Sequence, residues 1–145
     1  MAKTFLITFK PASENPQSGW PLENLLALVK RFNAGERVQQ DWRFRNTRAS
    51  EGDRVFLLLQ GKQGPAIIGY GRIADRPHKD TKNDRWMAKV DFEALIDPSK
   101  EAKLLNKNDL LLIKEKNHPW NTQHSGREIT EDIAGELERQ VVLGV

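Results

Sequence analysis

The sequence predicts an α+β domain: a strongly bent, mainly antiparallel sheet of five to six strands, curling towards a partly closed barrel, with flanking helices. Three observations predict it. Short β-rich runs recur along the chain, and most are joined by turn-forming stretches too short for a parallel crossover. One leucine stripe at helical spacing follows the first run, and a second apolar stripe at helical spacing comes near the end. A length of 145 residues suits a single well-buried core, so residues 1–145 are read as one domain.

In residues 4–9, Phe5, Ile7 and Phe9 share one side and Leu6 lies on the other, which predicts a strand covered on both faces. Pro11 stops it, and residues 11–20, with Pro11, Ser13, Asn15, Pro16, Ser18 and Gly19, read as a loop. Pro21 suits a first helical turn. Leu22, Leu25, Leu26 and Val29 then supply a helical apolar face, and Asn33-Ala34-Gly35 ends it. Residues 41–46 alternate, with Trp42, Phe44 and Asn46 on one face and Arg43 and Arg45 on the other. After the turn at Ser50-Glu51-Gly52-Asp53, residues 55–59 are uniformly apolar, as expected of a central strand. Residues 60–65 reverse the chain and residues 66–73 return as the antiparallel partner. Gly69 and Gly71 in that run mark a bend, a bulge or a close approach by another backbone or a ligand. Residues 77–85 read as a polar, mobile loop punctuated by Lys79, Lys82 and Arg85. Residues 86–92 form a further strand, closed by Leu95-Ile96-Asp97-Pro98. Leu104-Leu105 and residues 110–113 add one apolar segment each. Ile129, Ile133, Leu137 and Val141, stepping by four behind Thr130, Glu131 and Asp132, predict a last helix with acids at its start.

Composition excludes several classes of function. With no cysteine there is no disulfide framework, thiolate zinc site or cysteine nucleophile, which fits a cytoplasmic protein. The apolar run at the start is too short for a signal peptide, and no run approaches the roughly 18 apolar residues of a membrane span, so no membrane partner is expected. Charged residues make up 30% of the chain but net charge is only +3, so any attraction to nucleic acid must come from local clusters. His78, His118 and His124 have no metal-pair spacing, and neither a G-x-S-x-G elbow nor a P-loop is present. No metal, cofactor or enzymatic chemistry is expected, although Ser125 is left open as a nucleophile.

What remains is binding. Trp120-Asn121-Thr122-Gln123-His124-Ser125-Gly126 sets an indole beside carboxamides, hydroxyls and a flexible glycine, a mixture suited to gripping a flat polar ring. The plainer reading is a tryptophan lid on the core. Trp20, Trp42 and Trp120 lie at loops or loop–strand junctions, and Asn46, Gln60, Asn121 and Gln123 offer amides for a base edge. Stacking one base on an aromatic ring is worth about 1–3 kcal/mol. Arg43, Arg45, Arg48, Lys62 and Lys82 are candidates to hold phosphates, against the alternative of a solvated charged face.

Five runs carry a family resemblance. They are Asp41-Trp42-Arg43-Phe44-Arg45-Asn46; Gly52-Asp53-Arg54-Val55-Phe56-Leu57-Leu58-Leu59-Gln60-Gly61; Ile67-Ile68-Gly69-Tyr70-Gly71; Val90-Asp91-Phe92 with Leu95-Ile96-Asp97-Pro98; and the Trp120 to Gly126 motif. In order and spacing they are similar to the EVE domains of the PUA-like superfamily, and most similar to the EVE modules of modification-dependent HNH restriction endonucleases. The resemblance implies a PUA-like fold and a pocket for a base flipped out of DNA, most of all 5-methylcytosine or 5-hydroxymethylcytosine. It also implies that Trp42, Asn46, Gln60, Trp120, Asn121, Gln123 and Ser125 line that pocket, with Trp20 as a lid. No nuclease module is present, so cutting would need a separate nuclease or effector protein. His124 and Arg127 depart from the small and the apolar residue expected at their positions. The alternatives are an RNA modified-base reader similar to YTH domains, or a small-molecule-binding or hydrolase domain on the same scaffold. The first reading expects the Trp42 strand and the Trp120 to Gly126 loop to face each other across a ring-sized gap.

Overall fold

The computed structural model describes residues 2–11, 21–61, 64–82, 84–100, 103–113, 120 and 125–143. Strand β1 (Thr4–Phe9) is apolar on both faces, and Phe5, Leu6, Ile7 and Phe9 are all buried. Helix α1 (Leu22–Asn33) starts directly after Pro21, whose missing N–H costs nothing at a helix start, and ends through Gly35 at φ +85°. There follow β2 (Val38–Arg43), β3 (Arg54–Leu59), β4 (Ala66–Asp80), β5 (Arg85–Leu95), the short helix α2 (Lys107–Leu111), β6 (Arg127–Glu128) and α3 (Glu131–Leu137), which runs on into a π-helical turn at Glu138–Val142. Thr130 caps α3 by accepting from the Ile133 N–H, and Glu131 and Asp132 complement the helix dipole.

The sheet has six strands in the order β2-β5-β4-β3-β1-β6. β1 and β3 run parallel, Thr4 beside Arg54 through Phe9 beside Leu59, and the other neighbours are antiparallel. Side chains on successive residues of a strand point to opposite faces, so β1 and β3 feed two cores at once. Phe5, Ile7, Phe9, Val55, Leu57 and Leu59 pack with Leu25 and Val29 of α1 and with β2 and β5. Leu6, Phe56, Leu58 and Ile67 pack on the other face with Leu110, Trp120, Ile133 and Leu137.

Three sequence expectations shift. The polar run from Pro77 to Asp80 is strand, not loop. β4 continues to pair with β5 through His78–Met87, Lys79–Trp86 and Asp80–Arg85, because a ladder is held by backbone groups that polar side chains do not disturb. β2 begins earlier than its alternation suggested and ends at Arg43, since Val38, Gln39 and Gln40 pair with Phe92, Asp91 and Val90. Residues 107–111 form a helical turn, capped by Asn106, which accepts from the Asp109 N–H. Gly69 and Gly71 serve backbone, not ligand: a Cβ on Gly69 would come within 2.9 Å of the Ala94 carbonyl oxygen, and one on Gly71 would overlap the Asp91 carbonyl. Both lie next to register shifts in the β4 ladders, where the sheet acquires its bend.

One buried ionic group ties the C-terminal turn to the sheet. Arg54 is 5% exposed. It donates to Glu93 Oε2 (2.7 Å) and to both carboxylate oxygens of Glu138 (3.1 and 3.2 Å), and lies 5.4 Å from the Tyr70 ring centre. Arg54→Met should cost about 2 kcal/mol, because both carboxylates keep partial solvent access and their loss of a partner is softened. A urea midpoint shift with an unchanged m-value would report it, and an unshifted midpoint would refute the tie.

Candidate nucleic-acid interface

The site grows from an edge that the sheet leaves unfinished. In a parallel pair, alternate residues of a strand turn their N–H and C=O to opposite sides. Lys3 and Phe9 face β3, accepting from the N–H groups of Arg54 (3.1 Å) and Gln60 (2.8 Å). Thr4 and Leu6 face β6, accepting from Ile129 (3.0 Å) and Gly126 (2.8 Å). Thr8 is next in the second series, but β6 pairs only with Phe5 and Leu6. Side chains take over at that point. Ser125 Oγ accepts the Thr8 N–H at 2.9 Å and lies 3.2 Å from Thr8 Oγ1, and the Trp42 indole N–H donates to the Thr8 carbonyl at 3.0 Å.

Trp42 belongs to β2 and Thr8 to β1, near opposite ends of the strand order, so this bond joins the two ends of the curled sheet. The seam is reinforced by the Arg45 N–H, which donates to the Ser125 carbonyl at 3.2 Å, and by Phe44, whose ring meets Phe5 edge-on at 5.2 Å. Gly126, at φ +101°, is needed here twice. A side chain would be strained at that φ, and its Cβ would sit 2.9 Å from the Arg45 nitrogen and 3.1 Å from that of Asn46.

Gln60, at the end of β3, is buried and donates from Nε2 to the Trp120 carbonyl at 3.3 Å. Trp120 is 3% exposed, and its indole N–H has no acceptor among the described residues. A buried donor without a partner forfeits about 1–3 kcal/mol of solvation, so this N–H is the outstanding polar feature of the site.

Of the sequence-predicted base-binding residues, the seam gathers Trp42 and Ser125 around Thr8, with Asn46 against Gly126, while Gln60 and Trp120 meet each other at the end of β3. The two indoles do not share a wall. Trp42 packs in the Phe5, Ile7 and Phe9 core, edge-on to Phe92 at 5.9 Å, while Trp120 packs in the Leu6 and Phe56 core on the other face of β1. Where Ser125 and Gly126 meet Arg45 and Asn46 the backbones touch, leaving no ring-sized gap at that point. Asn46 Oδ1 accepts the Arg48 N–H at 2.9 Å in a local turn. Trp20, Asn121, Gln123 and Lys62 lie outside the described residues.

Among the predicted phosphate ligands, Arg48 Nη1 is 3.3 Å from Glu128 Oε1, and Lys82 sits in the exposed turn after β4, its N–H on Asp80. Arg43 is half-buried and Arg45 exposed. Burial, and then the neighbouring charges of Arg85 and Arg45, hold the Arg43 guanidinium below its ordinary range. It stays cationic at neutral pH all the same. Thr8 and Arg85 are the residues that sequence reasoning missed. Thr8 did leave a signal, as the hydroxyl residue inside an otherwise apolar stretch of β1. Among the described residues no His, Asp and Glu cluster is placed to hold a metal, and no helix is long and apolar enough to cross a membrane.

No protein-family model and no curated protein matches the sequence. Solved structures do. A hypothetical protein from Leishmania major superposes with a TM-score of 0.66 at 14% identity, over 99% of this chain and 97% of that one. Human THYN1, solved in complex with DNA containing 5-methylcytosine, gives 0.62 at 14% identity over 94% and 95%. The fold is PUA-like. The YTH domain of Zygosaccharomyces rouxii MRB1, solved with N6-methyladenosine RNA, superposes at 0.50 with 12% identity, over 97% of this chain and 86% of that domain. At these identities the likeness is one of fold.

The seam makes a stability prediction. Trp42→Phe keeps a ring but strands the Thr8 carbonyl, and Ser125→Ala strands the Thr8 N–H. Each should cost about 1–3 kcal/mol. In the double variant the losses should fall short of additive, since both act on one peptide edge. Full additivity in denaturant titrations would separate the two bonds.

Proposed function

We propose that this protein is a non-enzymatic reader of a modified base in DNA, taking a flipped 5-methylcytosine or 5-hydroxymethylcytosine at the seam. The observation that carries the reading is the Trp120 indole N–H, buried, without an acceptor among the described residues, and held in place by Gln60. A donor in that state matches a ligand acceptor such as a pyrimidine carbonyl, whose arrival would recover the solvation that folding gave up. The fold supports the reading, since THYN1 shares it and was solved with 5-methylcytosine DNA. Asn121 and Gln123, beside Trp120 in sequence, complete the proposed pocket with Asn46 and Ser125, Trp42 braces it through Thr8, and Trp20 is its proposed lid. Phosphates are assigned to Arg43, Arg45, Arg48, Lys62 and Lys82. The resemblance to EVE modules of HNH restriction enzymes extends the proposal to a separate nuclease or effector that acts on the bound site.

A second reading has its own support. The YTH domain of Zygosaccharomyces rouxii MRB1 has this fold and was solved with methylated RNA, so a base in RNA is the alternative ligand.

Matched DNA and RNA oligonucleotides carrying 5-methylcytosine, 5-hydroxymethylcytosine or N6-methyladenine decide between these. The expected result is preference for modified cytosine in DNA. Equal affinity for modified and unmodified strands would remove the reader function altogether. Trp120→Phe is the sharper probe: it keeps an apolar ring and deletes the orphaned N–H. It should lower affinity for the modified strand about tenfold, the loss of roughly one buried hydrogen bond. The fold should survive, because no described protein acceptor is abandoned.

A further inference from the structure

The β3–β4 ladder ends at Arg54 beside Arg72, but β4 runs on to Asp80 and stays paired with β5. Beyond β3, then, β4, β5 and β2 continue as a three-stranded extension. In β2 and β5 the register pairs Trp42 with Ala88 and Arg43 with Met87, and the Phe44 N–H donates to the Trp86 carbonyl at 2.9 Å. The same register, carried one residue further, sets Arg45 beside Arg85. Residues paired across antiparallel strands share a face. Arg43, Met87 and His78 therefore form one row on the face away from Trp42 and Phe44, and Arg45, Arg85 and Asp80 form the next.

Charge on this face is unevenly spread: Asp41, Lys89 and Asp75 form the row before Arg43, and the two rows beyond it carry three arginines against Asp80. Arg43, Arg45 and Arg85 enter no salt bridge among the described residues, while Arg37, Arg48, Arg54, Arg72 and Arg139 all do. Asp80 is the carboxylate of the second row, and its Oδ1 accepts the Lys82 N–H. Like charges on neighbouring strands repel, so three arginines gathered on one face lower the stability of the free protein. A polyanion would relieve that repulsion. Alternate residues on a strand lie roughly 7 Å apart, which spaces Arg43 and Arg45 to meet successive phosphates of one strand.

We propose that this outer face of the β2–β5–β4 extension, with Arg85 beside Arg43 and Arg45, docks the sugar–phosphate backbone of duplex DNA flanking the recognised base. The inference rests on the reading of the protein as a DNA modified-base reader and adds a surface on the opposite side of β2 from Trp42. It assigns Arg85 a part in affinity and none in base choice. Flipping a base costs a few kcal/mol, and phosphate contacts outside the pocket are a means of offsetting it without reading sequence.

The test is salt-dependent binding of fluorescent duplexes, with and without 5-methylcytosine, and of the matching single strand, by wild type, Arg85→Ala, Arg85→Glu and Arg85→Lys. Arg85 is exposed, so folding should be untouched. Arg85→Ala should weaken duplex binding about 5–10-fold near 0.1 M salt, equally for both duplexes, and reduce the log–log salt slope by about 1. Arg85→Glu should weaken it further, and Arg85→Lys should restore most of it. An unchanged slope and affinity in Arg85→Ala and Arg85→Glu, with modified-base preference intact, would overturn this surface and leave the reader standing. A loss confined to the single strand would overturn duplex docking. Wild-type protein that binds both duplexes equally, with the Arg85 slope effect present, would sink base reading and leave the docking surface.

Discussion

Much of the molecule depends on how the edge of β1 is satisfied at Thr8. A backbone N–H and C=O facing out of a strand must find partners or water, and β6 is too short to supply them. Ser125 and Trp42 do so instead, one from the segment before β6 and one from the far end of the sheet. The consequence is global, because a hydrogen bond from β2 to β1 holds the sheet in its curl. The register shifts in β4 and the glycines at 69 and 71 make that curl possible, by letting β5 approach closely where the ladder bends.

The same edge decides what the site contains. Because β1 is buried on both faces, residues that reach it from either side belong to different cores. Trp42 and Trp120 are near neighbours of one strand but pack on its opposite faces. Trp42 spends its N–H on Thr8, whereas the N–H of Trp120 meets no acceptor among the described residues. One indole therefore holds the scaffold, and the other carries the unmet hydrogen-bonding capacity on which the functional proposal stands. Gly126 matters to this edge, since only a residue without a side chain lets the backbone at Ser125 and Gly126 come against Arg45 and Asn46.

Arginine is put to two uses here. Arg54 is buried and engaged through all three of its guanidinium nitrogens by Glu93, Glu138 and the Gly71 carbonyl, which fastens the C-terminal turn to the sheet. Arg43, Arg45 and Arg85 lie together without described ionic partners, and the arrangement gains from a polyanion. A net charge of +3 conceals this division, because steering and docking follow the local field.

The elements whose side chains repeat at a helix or strand period were legible in the sequence. β1, β3, α1 and α3 follow directly from Phe5, Ile7 and Phe9, from the run Val55 to Leu59, from Leu25 and Val29, and from Ile133 and Leu137. The family resemblance, carried by motif order, led to the PUA-like fold. Features held by backbone pairing were not legible: the polar end of β4 looks like a loop because its ladder with β5 needs no apolar side chains. Of the site, the residue types were readable and their division was not. Sequence alone marked Trp42, Gln60, Trp120 and Ser125, and put Arg43 and Arg45 on the face opposite Trp42. Only the tertiary structure decided that Trp42 is committed to Thr8, that Trp120 lies across β1 with no acceptor for its N–H among the described residues, and that Arg85 joins the arginine face. Each of those outcomes depends on which strands the sheet brings side by side, and contacts between residues distant in the chain leave no periodicity to read.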